Sequence, residues 1–195
     1  IYGGLSFYSR KEVKDLLAYF RLVVNHNDEE ALLRIINYPA RGVGKTTIEK
    51  LQVLSNDKQM SIWKLINNTS EIEKEFNRGT LQKLVDFAVM IRSFAVQIEK
   101  TNAFELAQQI TNAVGIVKAL KEEDSIEAVN RIENIEELLN AIMEFAEREP
   151  EVQELGEEGV PARSLVHFMQ EVALLTDADK KDEENGDFVS LMTIH

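Results

Sequence analysis

Asn37-Tyr38-Pro39-Ala40-Arg41-Gly42-Val43-Gly44-Lys45-Thr46-Thr47 restricts the fold of this chain more than any other stretch. Pro39 has no N–H and a fixed φ, and it pushes the preceding residue out of helical dihedrals. Gly42 and Gly44 allow a sharp reversal and let backbone approach another molecule without Cβ interference. The stretch must therefore turn the chain. It is compatible with a phosphate loop between a strand and a helix, or with a hairpin between two helices.

A phosphate loop has the pattern Gly-x-x-x-x-Gly-Lys-Ser/Thr, whose backbone N–H groups wrap the phosphates. Gly44, Lys45 and Thr46 supply its end, but the position of its first glycine is Pro39. Residues 31–37 before it have the three- and four-residue apolar spacing of a helix, not of a buried strand. No later apolar run ends in the acidic residue that would hold magnesium. The hairpin is favoured. There the next helix would offer unpaired N–H groups and its positive dipole end, which suit a phosphate. Val43 would anchor the turn in the core. Arg41, Lys45, Thr46 and Thr47 would flank the opening with donors. Such a site reads backbone, so it would be independent of base sequence. An ordinary helix–helix corner with a basic turn fits the same residues.

Charge decides where a polyanion could bind. Residues 1–120 carry 16 Lys/Arg and 13 Asp/Glu, whereas residues 121–187 carry 6 and 21. An acidic surface repels nucleic acid, so any such contact belongs to the first 120 residues. The acidic part reads as a solvated face or as helices that recruit a protein partner. The absence of cysteine excludes disulfides and thiolate metal sites. No apolar run approaches the roughly 20 residues of a membrane span, and no signal peptide is visible. These features point to a cytoplasmic protein.

The remaining pattern is helical. Residues 10–24 form an amphipathic helix with Ser9 as its cap, after a possible extended segment at residues 5–8. Asn27 caps a helix over 28–37, with Glu30 three residues on. Thr46 caps one reaching Leu54, with Glu49 in the reciprocal position. Ser61 opens a short helix containing Trp63, which reads as core. Residues 80–100 form a long helix. Asn102 caps another that ends at Gly115, a left-handed terminator. Residues 116–121 are a short helix, and Asp124 caps one over 125–148. Residues 150–160 read as a loop, and Pro161 starts a helix to Leu175. Residues 177–187 read as a polar linker, and residues 188–194 as a buried strand. Arg10, Glu12, Lys14 and Asp15 read as ion pairs along one helix surface, and His167 as a packed histidine. The fold class is all-α, with strand-like pieces only at the ends. A start at Ile1 and a stop beside a strand suggest a segment of a larger protein, in which a helical module interrupts a sheet.

Four stretches carry a family resemblance. Residues 3–22 (Gly3-Gly4-Leu5-Ser6-Phe7-Tyr8-Ser9-Arg10 and onwards) resemble the segment after motif IV of UvrD/Rep/PcrA-type superfamily 1 DNA helicases. Residues 34–44 resemble the hairpin of their 2B subdomain, residues 131–138 a late 2B helix, and residues 189–195 the start of motif V. They occur in the family's order and at about its spacing. The resemblance implies that residues 1–27 are a piece of the RecA-like motor domain 2A. Residues 28–184 are then the helical 2B insertion, with a helix-hairpin-helix-like element, and residues 185–195 the returning 2A strand. The parent would be an ATP-driven 3′ to 5′ DNA helicase of repair or replication, with this insertion regulating unwinding. The resemblance also implies DNA contacts at Arg41, Gly42, Val43, Gly44, Lys45, Thr46 and Thr47 on a duplex or fork. Thr193 and His195 would lie near single-stranded DNA. The ATP and magnesium motifs of the family are not in this sequence, so the chain by itself is expected to bind no cofactor and to hydrolyse nothing. Its partners would be DNA and the parent's motor domains.

Overall fold

The computed structural model describes residues 5–148 and 163–184. Among these residues the chain is all-α, with no strand. The helices are α1 (Leu5–Tyr8), α2 (Lys11–Val24), α3 (Glu29–Ile35), α4 (Lys45–Lys58), α5 (Ile62–Asn67), α6 (Arg78–Ala95), α7 (Ala103–Val114), α8 (Ile116–Glu122), α9 (Ile126–Glu147) and α10 (Leu165–Glu184). One turn of 3-10 helix, Thr69–Glu71, links α5 towards α6. No helix among the described residues is long and apolar enough to cross a membrane.

The fold is organised around α2. Val13, Leu16, Leu17, Ala18, Tyr19, Phe20, Leu22 and Val23 are all buried, which is more than one face of a helix. A helix that is apolar nearly all round has to sit inside a bundle. Accordingly α2 packs against α3, α6, α7, α9 and α10. One contiguous apolar cluster runs from Phe7 to Val172. α4 contacts α5 and buries only Leu51 fully, so it lies at the margin of the core.

Side-chain caps explain most of the helix starts. Ser61 accepts the Lys64 N–H, Asn77 that of Thr80, and Asn102 that of Glu105. Each satisfies one otherwise orphaned donor. Gly115 closes α7 in the left-handed region at φ 75°. Several expectations shift. Asp28, not Asn27, caps α3 by accepting the Ala31 N–H at 2.9 Å. Ser125, not Asp124, caps α9, and Asp124 takes the left-handed turn at φ 45°. α2 has no side-chain cap, because Ser9 Oγ donates instead to the Ser6 carbonyl at 2.8 Å. Thr46 lies inside α4, whose cap is Gly44, and α4 continues to Lys58. The long helix is Arg78–Ala95 rather than 80–100.

Residues 5–8 are a helical turn and not extended, because Phe7 and Tyr8 are both buried and a single turn sends both rings inward. The polar run after Leu175 stays helical to Glu184 rather than becoming a linker. No Gly or Pro interrupts residues 165–184, and their Ala, Lys and Glu favour helix. The helix expected from Pro161 begins only at Leu165, because Arg163 before it takes the left-handed region at φ 66° and cannot continue a right-handed helix. The expected loop at 150–160 and the strand at 188–194 lie outside the described residues.

The charges of α2 do not form pairs along its surface. Glu12 and Asp15 are buried and are answered by other helices. Asn134 of α9 donates to Glu12 at 2.5 Å and accepts from Arg10. Arg34 of α3 donates to Asp15 at 2.7 Å. Burial raises the Asp15 carboxyl above its usual range despite the Arg34 guanidinium beside it. Arg21 clamps the α2–α3 turn through Asp28 at 2.7 Å and Glu30 at 3.1 Å. Trp63 is half-buried and lies flat on His26, with ring centroids 4.4 Å apart. His167 is half-buried beside Ser164, whose Oγ lies 3.0 Å from its Nδ1.

Candidate nucleic-acid interface

Residues 37–47 do form a hairpin between two helices. α3 ends at Ile35 and α4 begins at Lys45. The Tyr38–Pro39 peptide is cis, and Gly42 is left-handed at φ 74°. The turn is held from within by Asn37. Its Oδ1 accepts the Arg41 N–H at 2.9 Å and the Val43 N–H at 3.0 Å. Val43 is fully buried and pins the apex to the core, as its place between the glycines predicts.

The hairpin has an inner and an outer side. Gly42, Gly44, Lys45 and Thr46 are exposed, while Thr47 is half-buried. The Thr47 N–H bonds the Gly44 carbonyl at 3.0 Å, and the N–H groups before it have no helical carbonyl behind them. Space around Gly44 is open, since a Cβ there would meet nothing within 4 Å. The Lys45 side chain is 89% exposed and loosely pairs with Glu49 at 3.6 Å. Lys83, from α6, brings a second ammonium to the turn and donates to the Gly42 carbonyl at 3.4 Å. A Cβ on Gly42 would sit 2.5 Å from that Nζ.

Arg41 faces the inner side. Its guanidinium donates to the carbonyls of Ile35 at 3.2 Å, Pro39 at 3.0 Å and Val114 at 3.5 Å, and to the hydroxyl of Tyr19. It also lies over the rings of Tyr19 and Phe87, at 5.5 and 5.8 Å from their centroids. Tyr19 passes its own hydrogen on to the Tyr38 carbonyl at 2.5 Å. Burial pushes that phenol well above its usual range, against the opposing pull of Arg41. Of the residues expected at an interface, the structure presents Gly42, Gly44, Lys45 and Thr46 together on the outside and turns Arg41 and Val43 inward. Thr193 and His195 lie outside the described residues. The holding role of Asn37, and any part for Tyr19 and Lys83 at the hairpin, were not read from the sequence. Asn37 carried a signal, because an Asn just before an X-Pro turn commonly bonds nearby backbone. Tyr19 and Lys83 are far away in sequence and carried none.

The chain resembles known proteins along its whole length. The family model described as the UvrD-like helicase C-terminal domain matches residues 1–195. The chain belongs to that family. It is 33% identical over 193 residues to the ATP-dependent DNA helicase PcrA of Staphylococcus aureus, covering 99% of this chain and 25% of that protein. It is 32% identical over 193 residues to the protein of the same name from Staphylococcus epidermidis, with the same coverage. This member of the UvrD-like family thus spans about a quarter of the length of these relatives.

Proposed function

We propose that this chain is a duplex-contacting part of an ATP-dependent DNA helicase, and that the outer side of the 37–47 hairpin is the contact. The observation that carries the proposal is the pairing of an open α4 N-terminus at Gly44 with exposed Lys45 and Thr46 and the ammonium of Lys83. Backbone N–H groups and point charges of this kind bind phosphate oxygens without reading bases. Duplex or fork DNA is therefore the partner, in any sequence. Within the parent, residues 28–184 are the helical 2B subdomain, and residues 1–27 and 185–195 are pieces of motor domain 2A. Thr193 and His195 then lie beside the single strand. The likeness of motifs to the helicase family supports 3′ to 5′ unwinding by the parent and a regulatory role for this subdomain.

ATP does not fit the hairpin. A nucleotide loop needs successive N–H groups aimed at phosphates, but those of Arg41 and Val43 are aimed at Asn37 and Pro39 has none. We assign ATP and magnesium chemistry to other parts of the parent.

The test is anisotropy of a labelled blunt duplex and a forked duplex titrated with the chain from about 50 to about 200 mM salt. Lys45→Ala should weaken binding several-fold on both and reduce the salt slope by about one. Gly44→Ala, whose methyl meets no protein atom, should leave the melting temperature unchanged and still weaken binding. Absence of duplex binding by the unaltered chain at low salt, or wild-type binding by both variants, refutes the assignment.

A further inference from the structure

We propose that Arg41 is a positioning residue, which holds the outer side of the hairpin in its binding geometry and makes no contact with DNA itself. The inference rests on the duplex-contact reading above and assigns one residue's part in it.

The guanidinium has no terminal donor left for a phosphate. Nη1 donates to the Ile35 and Pro39 carbonyls, and Nη2 to the Tyr19 hydroxyl and the Val114 carbonyl. Two of those acceptors have a particular character. Ile35 is the last residue of α3 and Val114 the last of α7. Carbonyls at helix C-termini lack intrahelical donors and carry the negative end of the dipole, which favours a cation. One planar cation thus closes two helix ends while lying over rings from two more helices, Tyr19 of α2 and Phe87 of α6.

The backbone of the same residue is fixed from the other direction. The Arg41 N–H is bound by Asn37, next to the Val43 N–H on the same oxygen. Four helices therefore set where Gly42 and Gly44 sit. Moving Arg41 outward to a phosphate would take the donor from the Val114 carbonyl that ends α7 and from the Pro39 carbonyl. It would leave the Ile35 carbonyl with the Tyr38 N–H alone at 3.0 Å, and leave the Tyr19 hydroxyl only its own bond to the Tyr38 carbonyl. Lysine cannot replace it, because an ammonium has neither the fork nor the plane.

The experiment compares Arg41→Lys, Arg41→Met and Tyr19→Phe with the unaltered chain, using duplex anisotropy across the salt range and amide exchange of residues 41–44. Far-UV circular dichroism confirms that each variant is folded. Tyr19 is fully buried and out of reach of DNA, and Tyr19→Phe keeps its ring and removes only the hydroxyl. Arg41→Lys should bind duplex about tenfold more weakly and Tyr19→Phe about threefold, with faster exchange of the Arg41 and Val43 amides in both. A direct phosphate contact would give the opposite pattern. Arg41→Lys would then keep its charge, its salt slope and its affinity within about twofold, and Tyr19→Phe would bind like wild type. Either of those two results overturns the proposal. If the unaltered chain binds no duplex, the functional reading fails and this inference falls with it. If duplex binding survives Gly44→Ala and Lys45→Ala, the outer side is not the contact and a role for Arg41 in holding it for DNA is overturned, whatever the Arg41 and Tyr19 variants do. If Gly44→Ala and Lys45→Ala weaken binding while Arg41→Lys and Tyr19→Phe bind like wild type, the outer contact stands and only the positioning role fails.

Discussion

Replacing Asn37 by Ala should be among the most damaging single changes at the hairpin, although Asn37 would touch no ligand. Its Oδ1 is the acceptor for two backbone N–H groups. Val43 is 0% exposed, so its N–H has no water to turn to, and leaving a buried donor unmade costs about 1–3 kcal/mol. The Arg41 N–H is half-buried with its residue, and losing its bond costs about 1 kcal/mol more. Together these give about 3 kcal/mol, which is a large share of the ~5–15 kcal/mol that stabilises an ordinary domain. At roughly 2–4 °C per kcal/mol for a chain of this size, the melting temperature should fall by about 6–12 °C. Asn37→Asp keeps an oxygen in the same place and should stay within about 1 kcal/mol of wild type. Urea unfolding followed by far-UV circular dichroism measures both. The reasoning is refuted if Asn37→Ala loses less than about 0.5 kcal/mol, or if Asn37→Asp is damaged as badly as Asn37→Ala. A loss confined to solvent-exposed amides, with those of Arg41 and Val43 still protected, would also contradict it.

Two further predictions concern charges inside the bundle. Arg34→Met leaves the Asp15 carboxylate, whose side chain is only 6% exposed, without its ion-pair partner, which should cost about 2 kcal/mol at neutral pH. Because burial already raises the Asp15 carboxyl, its folded form favours the proton. Its contribution is greatest below the unfolded carboxyl value and is lost as pH rises through the folded one. Removing Arg34 raises that folded value further, so urea midpoints should show a smaller deficit for Arg34→Met near about pH 4.5 than near about pH 7. His26 behaves in the opposite sense. Burial against Trp63, with Arg92 adding to it, lowers the imidazole below its ordinary value of 6.5. The stability it contributes is present above the unfolded value and is lost as pH falls from there through the folded one. His26→Phe, which keeps a ring on Trp63, should flatten the dependence of the urea midpoint between about pH 7.5 and about pH 5.5. An unchanged dependence in that variant would remove His26 as its source.

Much of the architecture was legible because its causes are local. Ser61 and Asn102 cap helices where the pattern placed them, and Gly115 ends one. Val43 was expected to anchor the hairpin and does. The errors at Asn27 and Asp124 are shifts of one residue to a neighbouring polar side chain, Asp28 and Ser125, that accepts the N–H group instead, whereas α4 starts at Gly44 with no side-chain cap at all. Glu12 and Asp15 are a different kind of error. Three- and four-residue spacing on α2 offered partners along the helix, but α2 is covered on nearly every side, so their partners come from α9 and α3.

The sequence by itself determined that the described residues are helical and that the chain reverses at residues 37–47, where Pro39 stands in place of the first glycine of a phosphate loop. Those are consequences of missing donors, ring closure and apolar period, which act within a few residues. Only the tertiary structure decided which way the side chains of the turn point. Position in the turn alone lets Arg41 point outward as a donor, but α3 and α7 end beside it, with Tyr19 and Phe87 as its walls, and draw it inward. A guanidinium goes where the most carbonyls and ring faces are concentrated. That concentration exists only after helices distant in sequence have packed together.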